Sequence, residues 1–258
     1  MKIKKIIATV AAVFALGTSA FAFEWSECWQ NYGGGIEKDV LERHRINKEA
    51  SDLDDLLNVI ASSIGSLTNP VRLSNTFESV KHKTIKPETI AVYLDYFKDA
   101  FLIDNAIRYD IKGRKYINTP LKYYFVDVGL RNAKLNFRQQ EENHIMENII
   151  FNELKLRGFN VDVGVVEYNY KDSEGKSRRS KLEVDFIANL GSKKFYIQSA
   201  FNIDDEQKKE QETASLNRID DSFSKIVVVK DNIEPWQDDK GIQYIGIEQF
   251  LLEEDWLR

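Results

Sequence analysis

Glu147, Asp185 and Gln198 are the residues whose types and spacing come nearest to a reaction centre in this chain. Asp185 sits in Leu182-Glu183-Val184-Asp185-Phe186-Ile187, which alternates as a half-buried strand does. A Gly191-Ser192 turn and a second apolar run, Phe195 to Ala200, follow it. Upstream, Ile145, Ile149, Ile150 and Leu154 form the stripe of a helix predicted over Asn143 to Arg157, and Glu147 lies on it. One acid from a helix and one from a strand can share a hard cation, which prefers charged oxygen ligands. On the following run Gln198 offers only a neutral carbonyl and Ala200 carries no charge. The pattern predicts that Glu147 and Asp185 converge on one pocket with Gln198, with Ala200 at its edge. The same Asp185 reads equally as the solvent face of a half-buried strand.

The order helix, strand, hairpin, strand resembles the PD-(D/E)XK nuclease fold. The resemblance implies Mg²⁺ held by Glu147, Asp185 and an acid at the place of Gln198, with a lysine at the place of Ala200. As the residues stand, no cofactor and no catalysis are expected. The alternative is a metal-dependent nuclease with a rearranged site, in which Glu183 or Asp162 supplies the acid and Lys193 or Lys194 the lysine. Mg²⁺ would be its cofactor. Further strands are predicted at Phe159–Tyr168, Lys225–Val229 and Ile242–Ile247, with helices at Asp204–Ile219 and Glu248–Glu253. Alternating strands and helices indicate an α/β domain over 139–258.

The preceding region, 51–138, reads differently. Leu53, Leu56, Leu57, Ile60 and Ile64 make a helical stripe that Gly65 ends. Pro70 opens a second helix through Ser79, and Pro87 opens a third with Ile90, Val92, Tyr93, Leu94, Phe97 and Phe101 expected to pack inward. Strands are predicted at Ala106–Lys112 and Leu121–Val126, with a turn at Lys112-Gly113. Three helices and a β-hairpin form a winged helix. Its candidate DNA-binding residues are Lys83, Lys86, Arg108, Lys112, Arg114 and Lys115, with Lys81, His82, Lys122, Tyr109 and Tyr116 beside them. Glu88, Asp95 and Asp99 on the third helix weigh against it. The same surface reads equally as a solvated basic face or one that docks another protein domain.

With 258 residues, 43% hydrophobic, the chain can bury one or two cores. Between Val71 and Arg138 the basic residues exceed the acidic by six; from Gln139 to Arg258 the acids exceed by nine. A basic middle and an acidic end predict two domains with different partners. Cys28 is alone, which excludes an intramolecular disulfide framework. His44, His82 and His144 lack metal-ligand spacing. Lys2, Lys4 and Lys5, an apolar run from Ile6 to Leu16, and Ala20-Phe21-Ala22 read as a signal peptide over 1–22. Export, with no membrane span left after cleavage, is the expectation; cytoplasmic residence is the alternative.

A wider resemblance rests on Asp39-Val40-Leu41-Glu42-Arg43-His44-Arg45-Ile46, Thr89-Ile90-Ala91-Val92-Tyr93-Leu94, Arg108-Tyr109-Asp110-Ile111-Lys112-Gly113, Lys122-Tyr123-Tyr124-Phe125-Val126-Asp127-Val128-Gly129-Leu130-Arg131, Glu147-Asn148 and Leu182-Glu183-Val184-Asp185-Phe186, in that order. Together these resemble the C-terminal half of a large family of prokaryotic AAA+ ATPases. The resemblance implies a winged helix followed by a nuclease-like domain, with 23–50 as a linker and ATPase remnant. No P-loop is found: in Gly175-Lys176-Ser177, Tyr170 occupies the first glycine position, so no ATP partner is expected. The departure at the front reads as a recombined or truncated reading frame, or as an exported paralogue. The function expected is a non-catalytic DNA-binding or protein-docking fragment.

Overall fold

The computed structural model describes residues 50–139 and 141–253, together with Val40, Glu42 and Arg43. The segment 1–22 read as a signal peptide, Cys28, His44 and almost all of the 23–50 segment lie outside the described residues. Helix α1 (Ala50–Ser62), α2 (Pro70–Thr76, extended by a π turn over Phe77–Lys81) and α3 (Pro87–Asp99) come first. Strands β1 (Ile103–Asp110) and β2 (Lys115–Phe125) follow, then α4 (Val128–Lys134) and α5 (Glu142–Leu156). Next come β3 (Asn160–Lys171), β4 (Ser177–Leu190), β5 (Lys193–Ala200), α6 (Glu206–Thr213) and a 3₁₀ turn at Leu216–Arg218. The chain continues with β6 (Ser224–Val229), β7 (Trp236–Gln237), β8 (Ile242–Gly246) and α7 (Ile247–Leu252).

This is a mixed α/β architecture of seven α-helices and one eight-stranded sheet among the described residues, in the order β2-β1-β3-β4-β5-β6-β8-β7. The hairpin β1–β2 does not stand apart. Strand β1 pairs in parallel with β3 at Arg108↔Val163 to Asp110↔Val165, so the hairpin extends the sheet. Periodicity marks strands and cannot say which strand a given edge finds, since that depends on contacts far apart in sequence. Near its middle β2 loops out between the partners of Ala106 and Arg108, and Leu121 there exchanges two 2.8 Å backbone bonds with Thr68. That bridge ties the helical unit to the sheet edge.

Several element bounds differ from the sequence reading. Strand β2 starts at Lys115 rather than Leu121, and β1 starts at Ile103. The charged helix ends at Thr213 rather than Ile219 and gives way to the 3₁₀ turn. Its start is set by Asp205, whose carboxylate accepts from the Lys208 N–H at 2.7 Å. Two elements were not anticipated. Helix α4 has only seven residues and begins where Asp127 accepts from the Gly129 and Leu130 N–H groups. Strand β7 has two residues, too few to show a period.

Three cores result. Helix α5 lays Met146, Ile150, Phe151 and Leu154 on one face of the sheet against Phe186, Ile197 and Val228, and Phe250 of α7 joins them. The opposite face buries Val184, Tyr196, Ala200, Leu216 and Tyr244. Helices α1 to α3 form a third core with Tyr123 and Phe125 of β2. The fully buried Arg131 of α4 closes this unit by donating to the Ala61 carbonyl at 2.8 Å. No helix among the described residues is long and apolar enough to cross a membrane.

Phe151 stacks on Tyr124 with ring centroids 4.3 Å apart and also meets Phe186. Phe151→Ala is expected to lower stability by about 3–5 kcal/mol through lost burial and the cavity left behind. The urea midpoint measures it.

Candidate functional site

The bulge in β4 creates the first site. Strand β3 pairs Asp162 with Ile187 but Gly164 with Val184, so one extra residue of β4 is accommodated at Asp185-Phe186. Gly164 permits the close approach there, since a Cβ on it would lie 2.8 Å from the Val184 side chain. Asp185 is buried, and its carboxylate accepts from the Ser199 N–H at 2.9 Å. Glu147 comes from the inward face of α5 and accepts from the Tyr124 hydroxyl at 2.6 Å. Gly65, held at φ 69°, lies against the same carboxylate; an added Cβ would be 3.0 Å from it.

Lys122 of β2 joins these acids. Its ammonium lies 2.8 Å from Glu147, 2.7 Å from Glu183 and 3.6 Å from Asp185. The sequence reading placed Lys122 on the exposed basic surface; the structure buries it to 3% exposure. The signal that could have located it is its position in Lys122-Tyr123-Tyr124-Phe125, where a solvated lysine has no room among large rings.

Glu147 and Asp185 therefore do converge, but around an ammonium. Gln198 does not complete the group. Tyr196 and Ala200 pack in the core opposite α5, Ile197 packs in the α5 core, and strand alternation puts Gln198 with Tyr196 and Ala200. Its side-chain oxygen meets the Asp185 backbone N–H at 3.4 Å, not the carboxylate. Of the alternative acids, Glu183 reaches the cluster. Asp162 lies elsewhere, accepting from the Tyr116 hydroxyl and the Asn189 amide. Lys194 stands over the Tyr109 and Phe223 rings. Among the described residues no group of three His, Cys, Asp or Glu is arranged to hold a metal. The donor set does not fit the Mg²⁺ that the nuclease resemblance implies, because an ammonium already contacts Glu147 and Glu183.

Charge explains the titration of this cluster. Burial alone would push the Lys122 ammonium down, but Glu147, Asp185 and Glu183 together outweigh it and the pKa rises. Burial and the neighbouring Glu147 raise Asp185 to about 7, against the opposing pull of Lys122 and the Ser199 N–H. The Tyr124 hydroxyl is raised by burial and by Glu147.

The second site lies at the tip of the sheet. Pairing of β3 with β1 stops at Val165, while β3 and β4 stay paired to Lys171↔Ser177. The β3–β4 arm thus projects about 20 Å past β1 at the usual strand rise. Between arm and β1–β2 turn is a cleft of about 490 Å³, lined by Asp110, Lys112, Gly113, Lys115, Glu167, Tyr168, Asn169 and Arg179. Its acids are engaged: Asp110 accepts from the Gly113 N–H at 2.8 Å, and Glu167 pairs with Arg179 and Lys181. Lys112, Arg114 and Lys115 are exposed and have no ion-pair partner among the described residues.

The other candidate DNA-binding residues lie elsewhere. Lys83 pairs with Asp52 of α1, Lys86 is an exposed residue at the start of α3, and Arg108 is half-buried on β1. Sequence reasoning missed Arg178, Arg179 and Lys181 of the arm. Their clustering in Ser177-Arg178-Arg179-Ser180-Lys181 was the available signal.

Residues 22–141 match a family model described as a domain of unknown function, DUF8612. That segment holds Lys122 and the basic turn but not Glu147 or Asp185. An uncharacterized protein of Haemophilus influenzae is 35% identical over 218 residues, which is 84% of this chain and 50% of that protein. Uncharacterized protein MJ1544 of Methanocaldococcus jannaschii is 30% identical over 198 residues, 76% of this chain and 41% of that protein. The chain spans about half the length of the curated relatives it matches. No solved structure matches it.

The raised Asp185 carboxyl sets a direction for pH dependence. From the unfolded carboxyl range near ~4 up to about 7, the folded chain keeps a proton that the unfolded chain has released. Stability contributed by this group therefore falls as pH rises through that window and levels off above it. Subtracting the urea stability of Asp185→Asn from that of the native chain should give a difference that declines over this range. A pH-independent difference would refute the assignment.

Proposed function

We propose that this chain is a non-catalytic nucleic-acid-binding module, with DNA as its ligand. It joins a winged helix to a degenerate PD-(D/E)XK-like sheet and is related to the C-terminal half of AAA+ ATPases. The order α1, α2, α3 and the β1–β2 hairpin supports the winged helix. The order α5, β3, β4, β5, α6, β6, with β3 to β5 antiparallel and β6 parallel to β5, supports the nuclease-like part.

The observation that carries the binding reading is the cleft with Lys112, Lys115 and Arg179 on its walls. With Arg179 paired to Glu167, Lys112 and Lys115 outnumber Asp110 and the lining keeps a net positive charge. Such charge recognises phosphates whatever the sequence. Helix α3 presents Glu88, Asp95 and Asp99 to solvent and repels a phosphate backbone. The contact is therefore assigned to the turn and the arm, not to a recognition helix. The non-catalytic half of the reading rests on Lys122, which stands among the acids that a nuclease would use for metal.

Fluorescence anisotropy on a labelled duplex over a salt series tests the binding. Replacing Lys112, Arg114 and Lys115 together by Ala should weaken binding and flatten the salt slope by about 0.9 per lost phosphate contact. Unchanged affinity and slope would favour docking of a protein domain at this face instead.

Incubated with DNA and Mg²⁺ or Mn²⁺, the native chain should leave the substrate intact, as read on a gel. Cleavage that disappears in Asp185→Ala would make the metal-dependent nuclease the better reading.

A further inference from the structure

We infer that the basic cleft takes single-stranded DNA, whose unpaired bases stack on Tyr168 and Tyr170 of the β3–β4 arm while its phosphates lie along Lys112, Arg114 and Lys115. The inference rests on the DNA-binding reading above and adds which form of DNA the site takes.

The arm is a two-stranded ribbon with both outer edges open among the described residues. Strand β1 stops pairing with β3 at Val165, and β5 pairs with β4 only from Phe186 onward. Alternation puts Tyr168 and Tyr170 on the face of Val166, which is buried in the core opposite α5. Neither tyrosine is buried in that core. Their ring centroids lie 6.0 Å apart, and Tyr170 is 46% exposed. Tyr168 lines the cleft itself. The Arg218 guanidinium stands 4.5 Å from the Tyr168 centroid and donates to the Ala214 carbonyl at 2.8 Å. A cation over the ring holds it in place and sets a positive charge beside it.

Rings and charge together define the ligand. Exposed aromatic rings beside a positive groove stack bases of any identity, because every base has a π-face. Within a duplex the bases stack on one another and present only their edges, so the rings would have nothing to cover. The arm carries five basic against three acidic residues between Val166 and Leu182, and the turn sets Lys112, Arg114 and Lys115 against Asp110. At about 490 Å³ the cleft has the size of a small-molecule pocket. A single strand can enter it, whereas a duplex would meet only its rim. Charge alone favours the duplex, which releases more counterions per phosphate neutralised. Preference for the single strand therefore reports stacking and not charge.

Fluorescence anisotropy compares the full chain on an unstructured labelled single strand, on its duplex, and on the same strand with abasic sites replacing the bases. The intact single strand is expected to bind more tightly than the duplex. It should exceed the abasic strand by about 25-fold or more, at about fivefold or more for each stacked base. Tyr168→Ala with Tyr170→Ala should remove this preference and leave the duplex affinity and its salt slope unchanged. Tyr168→Phe with Tyr170→Phe keeps both rings and should keep the preference. Should the alanine pair fail to fold, as judged by circular dichroism, Tyr170→Ala alone should lower the preference about fivefold. The abasic comparison needs no variant. Duplex bound as tightly as the single strand, an abasic strand bound as tightly as the intact one, or a preference that survives loss of both rings would each overturn the inference. Duplex binding that still depends on Lys112, Arg114 and Lys115 would in those cases leave the DNA-binding reading standing. Binding of neither form overturns both.

Discussion

A lysine ammonium cannot be buried without anionic company, and much of the molecule is arranged around that requirement at Lys122. Removing one partner of a buried ion pair commonly costs about 3–5 kcal/mol because an uncompensated charge remains. Here the partners come from α5 and β4, while Lys122 comes from β2, beside the loop that bridges to Thr68. One charge cluster therefore joins the helical unit, the sheet edge and the packed helix. Gly65 has its reason in the same place, because a side chain there would press on the Glu147 carboxylate.

The continuity of the sheet has a comparable effect on the surface. Because β1 pairs with β3, the basic turn at Lys112 to Lys115 is fixed beside the β3–β4 arm. Charges from sequence positions some sixty residues apart then face one cleft. The acidic balance of the C-terminal region does not describe this local field. Its arm carries Lys171, Lys176, Arg178, Arg179 and Lys181 against Glu167, Asp172 and Glu174, a local basic excess within an acidic segment. Net charge over a segment is a poor guide to the potential at one site, since screening limits exposed charges to near neighbours.

The two sites fit one functional picture. In the function proposed above, Lys122 among the acids accounts for the absence of a reaction, and the cleft lined by Lys112 and Lys115 accounts for the binding of phosphates. The matched segments make up 50% and 41% of the two relatives, so each relative has a further region beside the matched one.

The sequence by itself determined the helices with full apolar stripes and the strands with clear alternation, because both patterns repeat within one element. Helices α1, α3 and α5 and strands β4 to β6 were legible for that reason, as was the pairing in principle of Glu147 with Asp185. The seven residues of α4 and the two of β7 were too short to show a period. Lys122 was misread as a surface charge, since a lysine's burial depends on which acids reach it, and those lie 25 or more residues away. Gln198 was read as a ligand position from its order on the strand, but strand alternation puts it on the face of Tyr196 and Ala200. The join of the β1–β2 hairpin to β3, and with it the cleft, was decided only in three dimensions. Hydrogen bonding between strands distant in sequence leaves no local pattern for the chain to display.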